Sequence, residues 1–261
     1  MQRTLFDKDH EAYRETVREF LAREIEPNYE RWESERLIDR SAWLAAGKSG
    51  IVGLGVPEEF GGSGVTDYRF RYVVAEEIAR TATTSFGSGL SLQDDIAIPY
   101  IANLGTEGRG FVHLMENLPL ERISIAVNAI AAAKAAYRWT RDYVFERKAF
   151  GKPIGDLQNT RFALAEMLTE IEVTESHIDR CVLALNAGEL TAVDASKGKW
   201  WASELQKRVV DRCVQLHGGY GYMMEYPIGR AYVDSRIQTI YGGTTEIMKE
   251  IIGREIAAAS A

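Results

Sequence analysis

Three long helical segments constrain the fold of this chain most strongly. Residues 121–147 are rich in alanine, and residues 158–186 and 192–217 each place apolar side chains at helical spacing between charged ones. Short connections join these segments, and a shorter helix over 229–237 and a last one after Thr244 follow. Because long helices with short connections pack antiparallel, the sequence predicts an antiparallel four-helix bundle in the C-terminal half.

The N-terminal part of the chain is also predicted to be helical. A periodic apolar pattern starts near Tyr13 and continues until Pro27 disturbs it. The elements predicted after that disturbance are a helix at 41–48, a glycine-rich loop at 50–64, and helices at 68–80 and 90–103. We find no alternating pattern long enough for a convincing strand, so the predicted fold class is all-α.

The boundary between the two halves falls near residue 105. Residues 104–107 (LGTE) end one helical block, and residues 108–111 (GRGF) lead directly into the next. The sequence therefore predicts two domains, an N-terminal helical domain at residues 1–106 and a C-terminal helical bundle domain at residues 107–261.

Composition excludes several classes of protein. The net charge of −7 argues against a nucleic-acid binder, and no window of about 18 apolar residues predicts a membrane span. Cys181 and Cys213 lack metal or redox spacing, and the first residues lack the apolar core of a signal peptide. The four histidines show no metal-ligand spacing. We therefore expect a cytoplasmic protein without a metal site.

Three motifs in the C-terminal half combine glycines with charged or polar side chains. Arg147 can pair with a phosphate, or it can complement the dipole at a helix end. Gly218 and Gly219 can end a helix, or they can admit a nucleotide against bare backbone. Thr244 can cap a helix whose N-terminus also suits a pyrophosphate, and these two interpretations are compatible. The motifs are residues 147–152 (RKAFGK), 215–221 (QLHGGYG) and 240–246 (IYGGTTE).

Together with residues 57–62 (PEEFGG) and 120–122 (LER), these motifs resemble those of the acyl-CoA dehydrogenases in order and spacing. The resemblance implies FAD as the cofactor, an acyl-CoA as the substrate, and electron-transfer flavoprotein or a similar acceptor as the electron-accepting partner. In that family the loops that match Arg147 and Gly218 reach the flavin nucleotide of a neighbouring subunit, which implies a homodimer or homotetramer. The FAD-binding residues implied by the resemblance are Arg147, Phe150, Gln158, Gln215, Gly218, Gly219, Thr244 and Glu246.

The family's reaction removes a proton alpha to a thioester carbonyl and transfers a beta hydride to the flavin. Many members place the catalytic base, a glutamate, at the position that matches Gly242, where this chain has no side chain. The long-chain and isovaleryl types carry the glutamate at the position that matches Glu121. The resemblance therefore implies Glu121 as the base, although the residue alone also suits the first turn of a helix. The implied substrate-binding residues are Arg122, Tyr241 and Gly242.

The chain departs from the family's pattern at the boundary between its two halves. In relatives a middle β-domain covers one face of the flavin ring, and it has no counterpart between the two helical blocks here. The middle β-domain excludes water from the flavin ring and so protects the reduced cofactor. We expect an FAD-dependent acyl-CoA dehydrogenase core of long-chain type with impaired activity. The alternative is a non-catalytic helical scaffold or flavin-binding module derived from that family.

Overall fold

A computed structural model describes residues 3–102 and 108–260, which divide into two compact units. Unit 1 consists of the described residues up to Ser124 together with Val182–Leu190. Unit 2 consists of Ile125–Cys181 and the described residues from Thr191 onward. The predicted boundary at residue 106 lies outside the described residues, and the two predicted domains stay a prediction.

The all-α prediction is confirmed. In the described part of the chain, the strands are limited to the two-residue pair β1 (Lys148–Ala149) and β2 (Lys152–Pro153). The helices of that part are α1 (Lys8–Phe20), α2 (Glu26–Glu35), α3 (Arg40–Lys48), α4 (Tyr68–Thr81), α5 (Thr84–Ser91), α6 (Ile98–Ala102), α7 (Gly110–Glu146), α8 (Gln158–Asn186), α9 (Ala192–His217), α10 (Pro227–Ser235) and α11 (Thr245–Ala259). None of these helices is both long enough and apolar enough to cross a bilayer.

Local capping explains where several helices begin. Asp7 accepts hydrogen bonds from the first backbone N–H groups of α1, and Asp67 accepts one from Arg69 at the start of α4. Thr191 and Thr244 do the same for α9 and α11. Such side chains satisfy N–H groups that have no partner within the helix. The helix starts in both units therefore follow from short polar side chains.

The disturbance predicted at Pro27 takes the form of a wider helical turn just before the proline. The chain stays helical through a π-helical turn, Leu21–Ile25, and α2 begins at Glu26 with Pro27 in its first turn. A proline removes one backbone hydrogen bond from the helix, and the wider π-helical turn before it lets the chain continue without a break. The buried face of this stretch, which includes Phe20 and Ile25, belongs to the core of unit 1.

The predicted helix at 90–103 is interrupted in a similar way. The structure has α5, then a second π-helical turn, Leu92–Ala97, and then α6. The π-helical turn contains Asp95, whose side chain is 4% exposed. A wider turn of this kind redirects side chains within a helix and often occurs at functional sites.

Helix α7 begins eleven residues before the predicted start at residue 121. The prediction placed the helix after Pro119, but Pro119 lies inside α7. A proline removes one hydrogen bond from a helix interior without forcing the helix to end. The predicted bounds of α8 and α9 are confirmed to the residue. In unit 2, both α10 and α11 pack against α9.

Candidate functional site

A tight hairpin follows the C-terminal end of α7. Arg147 comes directly after α7, and β1 and β2 then pair antiparallel around Phe150 and Gly151. These two residues have positive φ angles of 52° and 80°, which is the pattern of a two-residue hairpin turn. Phe150 is 92% exposed. The hairpin therefore holds a large apolar ring in solvent at the cost of an unusual backbone conformation for phenylalanine.

The glycine motif after α9 has two kinds of glycine. A side-chain carbon added at Gly221 would lie 2.6 Å from the carbonyl oxygen of Val214, so this glycine is required by packing. At Gly218 and Gly219, apart from the glycine itself and its chain neighbours, no atom of the described residues lies within 4 Å of that added carbon. Gly218 ends α9 with a φ of 62°. A role in ending the helix and a role in admitting a nucleotide are therefore compatible. Gly218 ends α9, and its backbone also faces open space.

An open cavity of about 620 Å³, here called the Arg147 cavity, lies within unit 2. It brings together four of the predicted cofactor-binding residues, Arg147, Gln215, Gly218 and Gly219. The other four, Phe150, Gln158, Thr244 and Glu246, are not among its lining residues.

An aromatic group that the sequence analysis missed forms part of the same cavity. The rings of Tyr143 and His217 stack with their centroids 4.2 Å apart and an interplanar angle of 17°. The Tyr143 hydroxyl donates to the carbonyl oxygen of His217 at 3.3 Å, and His217 Nδ1 donates to that of Cys213 at 2.9 Å. Burial lowers the pKa of His217, so its imidazole is neutral near pH 7.

The guanidinium of Arg147 lies over the ring of Tyr220, 5.5 Å from its centroid. The Arg147 cavity therefore combines a positive charge with aromatic rings and open glycine backbone. That combination suits a ligand that carries both an anionic group and a flat ring. The spacing of Tyr143 and Arg147 was the signal for the missed tyrosine, since residues four apart share one face of a helix.

The third motif forms a loop before α11. Its glycines, Gly242 and Gly243, have φ angles of 65° and 100°. The Thr244 hydroxyl accepts from the backbone N–H of Ile247 at 3.4 Å, which confirms the predicted cap. Tyr241 donates from its hydroxyl to Gln238 Oε1 at 2.7 Å.

Glu246 follows this cap and is fully exposed. Its own backbone N–H and the Thr244 hydroxyl lower the pKa of its carboxyl. Its carboxylate therefore already interacts with the N-terminal end of α11.

The predicted base, Glu121, lies in the interior of α7 and belongs to unit 1. Its interpretation as a residue of the first helical turn is wrong, because α7 starts at Gly110. Glu121 is half-buried, and the Tyr100 hydroxyl donates to its Oε2 at 3.4 Å. Burial, reinforced by the charge of Glu121, raises the pKa of Tyr100. Arg122 is buried, and burial lowers its pKa.

One helical turn beyond Glu121, a buried network ties α7 to the second π-helical turn. The Ser124 hydroxyl donates to Asp95 Oδ2 at 2.6 Å. Arg71 Nε donates to the other oxygen of Asp95 at 3.3 Å. Tyr100 and Asp95 therefore both fix the segment of α7 that carries Glu121. Sequence reasoning missed Tyr100 because its partner lies 21 residues away along the chain.

Two family models match the chain. The model described as acyl-CoA dehydrogenase, N-terminal domain, matches residues 7–109, and the one described as acyl-CoA dehydrogenase, C-terminal domain, matches residues 108–257. The chain belongs to the acyl-CoA dehydrogenase family.

Relatives in sequence and in structure agree with that assignment. The mitochondrial long-chain specific acyl-CoA dehydrogenase of Rattus norvegicus is 32% identical, with 99% of this chain and 89% of the relative covered. The acyl-CoA dehydrogenase of Geobacillus kaustophilus superposes with a TM-score of 0.91 at 27% identity, covering 96% of this chain and 98% of that one. The acyl-CoA dehydrogenase of Bacillus anthracis, solved in complex with FAD, has a TM-score of 0.82 at 21% identity. The superposition covers 100% of this chain and 70% of that one.

The comparisons agree with a chain of this family that lacks the middle domain. The N-terminal and C-terminal matches meet at residues 108–109, so no stretch of this acyl-CoA dehydrogenase lies between them. The alignment with the rat relative extends over 384 positions, whereas this chain has 261 residues. More than a hundred residues of the relative therefore have no counterpart here.

Proposed function

We propose that this chain is an FAD-dependent acyl-CoA dehydrogenase core of long-chain type that oxidises the bond between the alpha and beta carbons of an acyl-CoA thioester. The observation that carries the proposal is the Arg147 cavity, where four cofactor-binding residues expected from the family pattern meet. Family membership supplies the reaction class, and the rat relative suggests long-chain substrates.

The residues present fit the nucleotide part of FAD. Gly218 and Gly219 offer backbone to open space that any side chain would fill, and Arg147 supplies a charge for a phosphate. The N-terminal end of α11, which Thr244 caps, supplies the positive end of a helix dipole for a second phosphate. FAD, when bound, supplies the acceptor for the beta hydride. The remaining residues proposed to hold it are Phe150, Gln158, Gln215 and Glu246.

Glu121 is the proposed base. A carboxylate can accept the alpha proton of the thioester, whereas Gly242 has no side chain to do so. Tyr100 and the network around Ser124 hold the helix that carries Glu121. We place Arg122, Tyr241 and Gly242 on the substrate side of the site.

The reaction is proposed to be impaired by the loss of the middle domain. A chain that lacks more than a hundred residues of its long-chain relative has fewer groups to cover the flavin ring and to exclude water. The nucleotide-binding residues belong to the segments that are present. Cofactor binding is therefore expected to survive better than turnover.

We further propose a homodimer or homotetramer in which the hairpin of one subunit completes the FAD site of another. Phe150 is 92% exposed, and Arg147 and Gln215 are exposed as well. The family pattern, in which the matching loop reaches the flavin of a neighbouring subunit, supports this proposal, and the exposed ring of Phe150 is free to make that contact. Electron-transfer flavoprotein or a similar protein is the proposed electron acceptor, and the cytoplasm is the proposed compartment.

Two measurements on the purified chain test the proposal. A visible flavin spectrum after incubation with FAD and gel filtration separates a cofactor binder from an empty scaffold. Turnover of a long-chain acyl-CoA with an artificial electron acceptor then separates an enzyme from a binding module. Glu121→Gln is the matched control for the second assay, because it keeps the shape of the side chain. A protein that retains no flavin would contradict the proposed function.

A further inference from the structure

Lys199 is a buried lysine of unit 2 whose amino group bonds to the loop before α11. It lies on α9 with 0% of its surface exposed. Its Nζ donates to the carbonyl oxygen of Gly243 at 2.7 Å. Placing a lysine in the interior is costly unless its nitrogen is hydrogen-bonded, so this bond is a strong constraint on both partners.

The backbone that Lys199 contacts is itself tightly constrained. Gly242 and Gly243 both have positive φ angles, 65° and 100°. A side-chain carbon added at Gly243 would lie 2.5 Å from the terminal carbon of Met248. The loop therefore has a left-handed backbone and close packing at the point where its carbonyl meets Lys199.

Two more contacts connect the same stretch of α9 to α11. Glu204 Oε1 accepts from the Thr245 hydroxyl at 3.0 Å, and Thr245 is buried. The Nζ of Lys249 lies 4.9 Å from the ring centroid of Trp200. Residues 199–204 of α9 thus hold the loop and the first turn of α11 at three successive points.

We propose that Lys199 is a positioning residue, which holds the loop from Gly242 to Thr244 in the conformation that presents the N-terminal turn of α11 to the bound FAD. This inference rests on the proposed function, because it assigns that turn to the cofactor. Lys199 acts through the Gly243 carbonyl and touches neither cofactor nor substrate. Removing the donor leaves that carbonyl without this partner in a packed site, so the loop should open more often.

The test compares Lys199→Met with Lys197→Met in the 261-residue chain. Methionine keeps most of the length of the buried side chain and removes its donor. Lys197 lies on the same helix, but its side chain is 47% exposed and its ion pair is with Asp194. Hydrogen exchange followed by mass spectrometry should show exchange about tenfold faster over residues 241–248 in Lys199→Met alone. FAD affinity, measured well below the melting temperature, should fall by at least about tenfold in the same variant.

The two readouts separate the possible failures. Lower thermal stability with unchanged loop exchange and unchanged FAD affinity would overturn the proposal, because Lys199 would then serve only the fold. If the unaltered chain binds no FAD, the proposed function fails, and loop exchange alone decides whether Lys199 holds the loop. Should Lys199→Met not fold, Lys199→Gln replaces it. Failure of both variants to fold would also overturn a role confined to the loop.

Discussion

Replacing Arg71 with methionine should destabilise unit 1 strongly. Arg71 lies on α4, and its side chain is 9% exposed. Its Nε is 3.3 Å from Asp95 Oδ1, and its Nη1 is 3.6 Å from Asp94 Oδ2. Both carboxylates are 4% exposed. The substitution therefore leaves two buried acidic groups without their nearby positive charge.

The size of the effect follows from this burial. Removing one partner of a buried ion pair costs about 3–5 kcal/mol, because the remaining charge is no longer compensated. Methionine fills most of the volume of the arginine stem, so the cavity contribution is small. Arg31→Met is the matched control, since Arg31 and its partner Asp39 are 43% and 41% exposed. An exposed pair of that kind contributes about 0–1 kcal/mol.

Urea unfolding followed by circular dichroism measures both variants, with the free energy of unfolding obtained by linear extrapolation. We expect the Arg71→Met transition to move to much lower urea and the Arg31→Met transition to move little. A loss below about 1 kcal/mol for Arg71→Met would refute the reasoning, because the two carboxylates would then be compensated in another way.

The pH dependence gives a second check. Burial raises the pKa of Asp94 above its ordinary value of 3.8, while Arg71 opposes this shift. A carboxyl whose pKa is raised in the folded state makes its full contribution to the free energy of unfolding below pH 3.8. That contribution is lost as the pH rises through the raised pKa. Removing Arg71 should raise the pKa of Asp94 further. The loss in the free energy of unfolding caused by Arg71→Met should therefore be largest near neutral pH and should shrink toward pH 3.8. A loss that does not change with pH would contradict this explanation.

Four further predictions concern the site and the assembly. Glu121→Gln should lower any turnover by at least about a hundredfold without changing FAD affinity, and equal rates in an active parent would show that another group is the base. Burial raises the pKa of Cys181 to about 11 and that of Cys213 to about 12, so neither thiol should react with a thiol reagent near neutral pH until urea unfolds the chain. Light scattering should give at least the mass of a dimer, and a monomer at micromolar concentration would rule out a shared FAD site. FAD should bind more weakly than it does to a family member that retains the middle domain, since each lost hydrogen bond costs about 1 kcal/mol; calorimetric titration with equal affinity would contradict this.

Helix bounds and helix caps could be predicted from the sequence, because they depend on residues that are close together in the chain. The bounds of α8 and α9 and the Thr244 cap were predictable, because helical periodicity and capping act over one or two turns. The motif residues, which are local in sequence, also point to the family. The resemblance to the long-chain type also points to Glu121 as the base, and this role stays a prediction.

The tertiary structure decided which distant residues meet. The Tyr100 hydroxyl contacts Glu121, Asp95 joins Arg71 to Ser124, and Lys199 contacts Gly243 across 44 residues of sequence. No local pattern encodes such pairs, because each depends on how packed helices align their faces. The early start of α7 was missed for a related reason. Helix α7 tolerates Pro119 in its interior because its other hydrogen bonds and its packing stabilise it. Local helix propensity does not include these contributions.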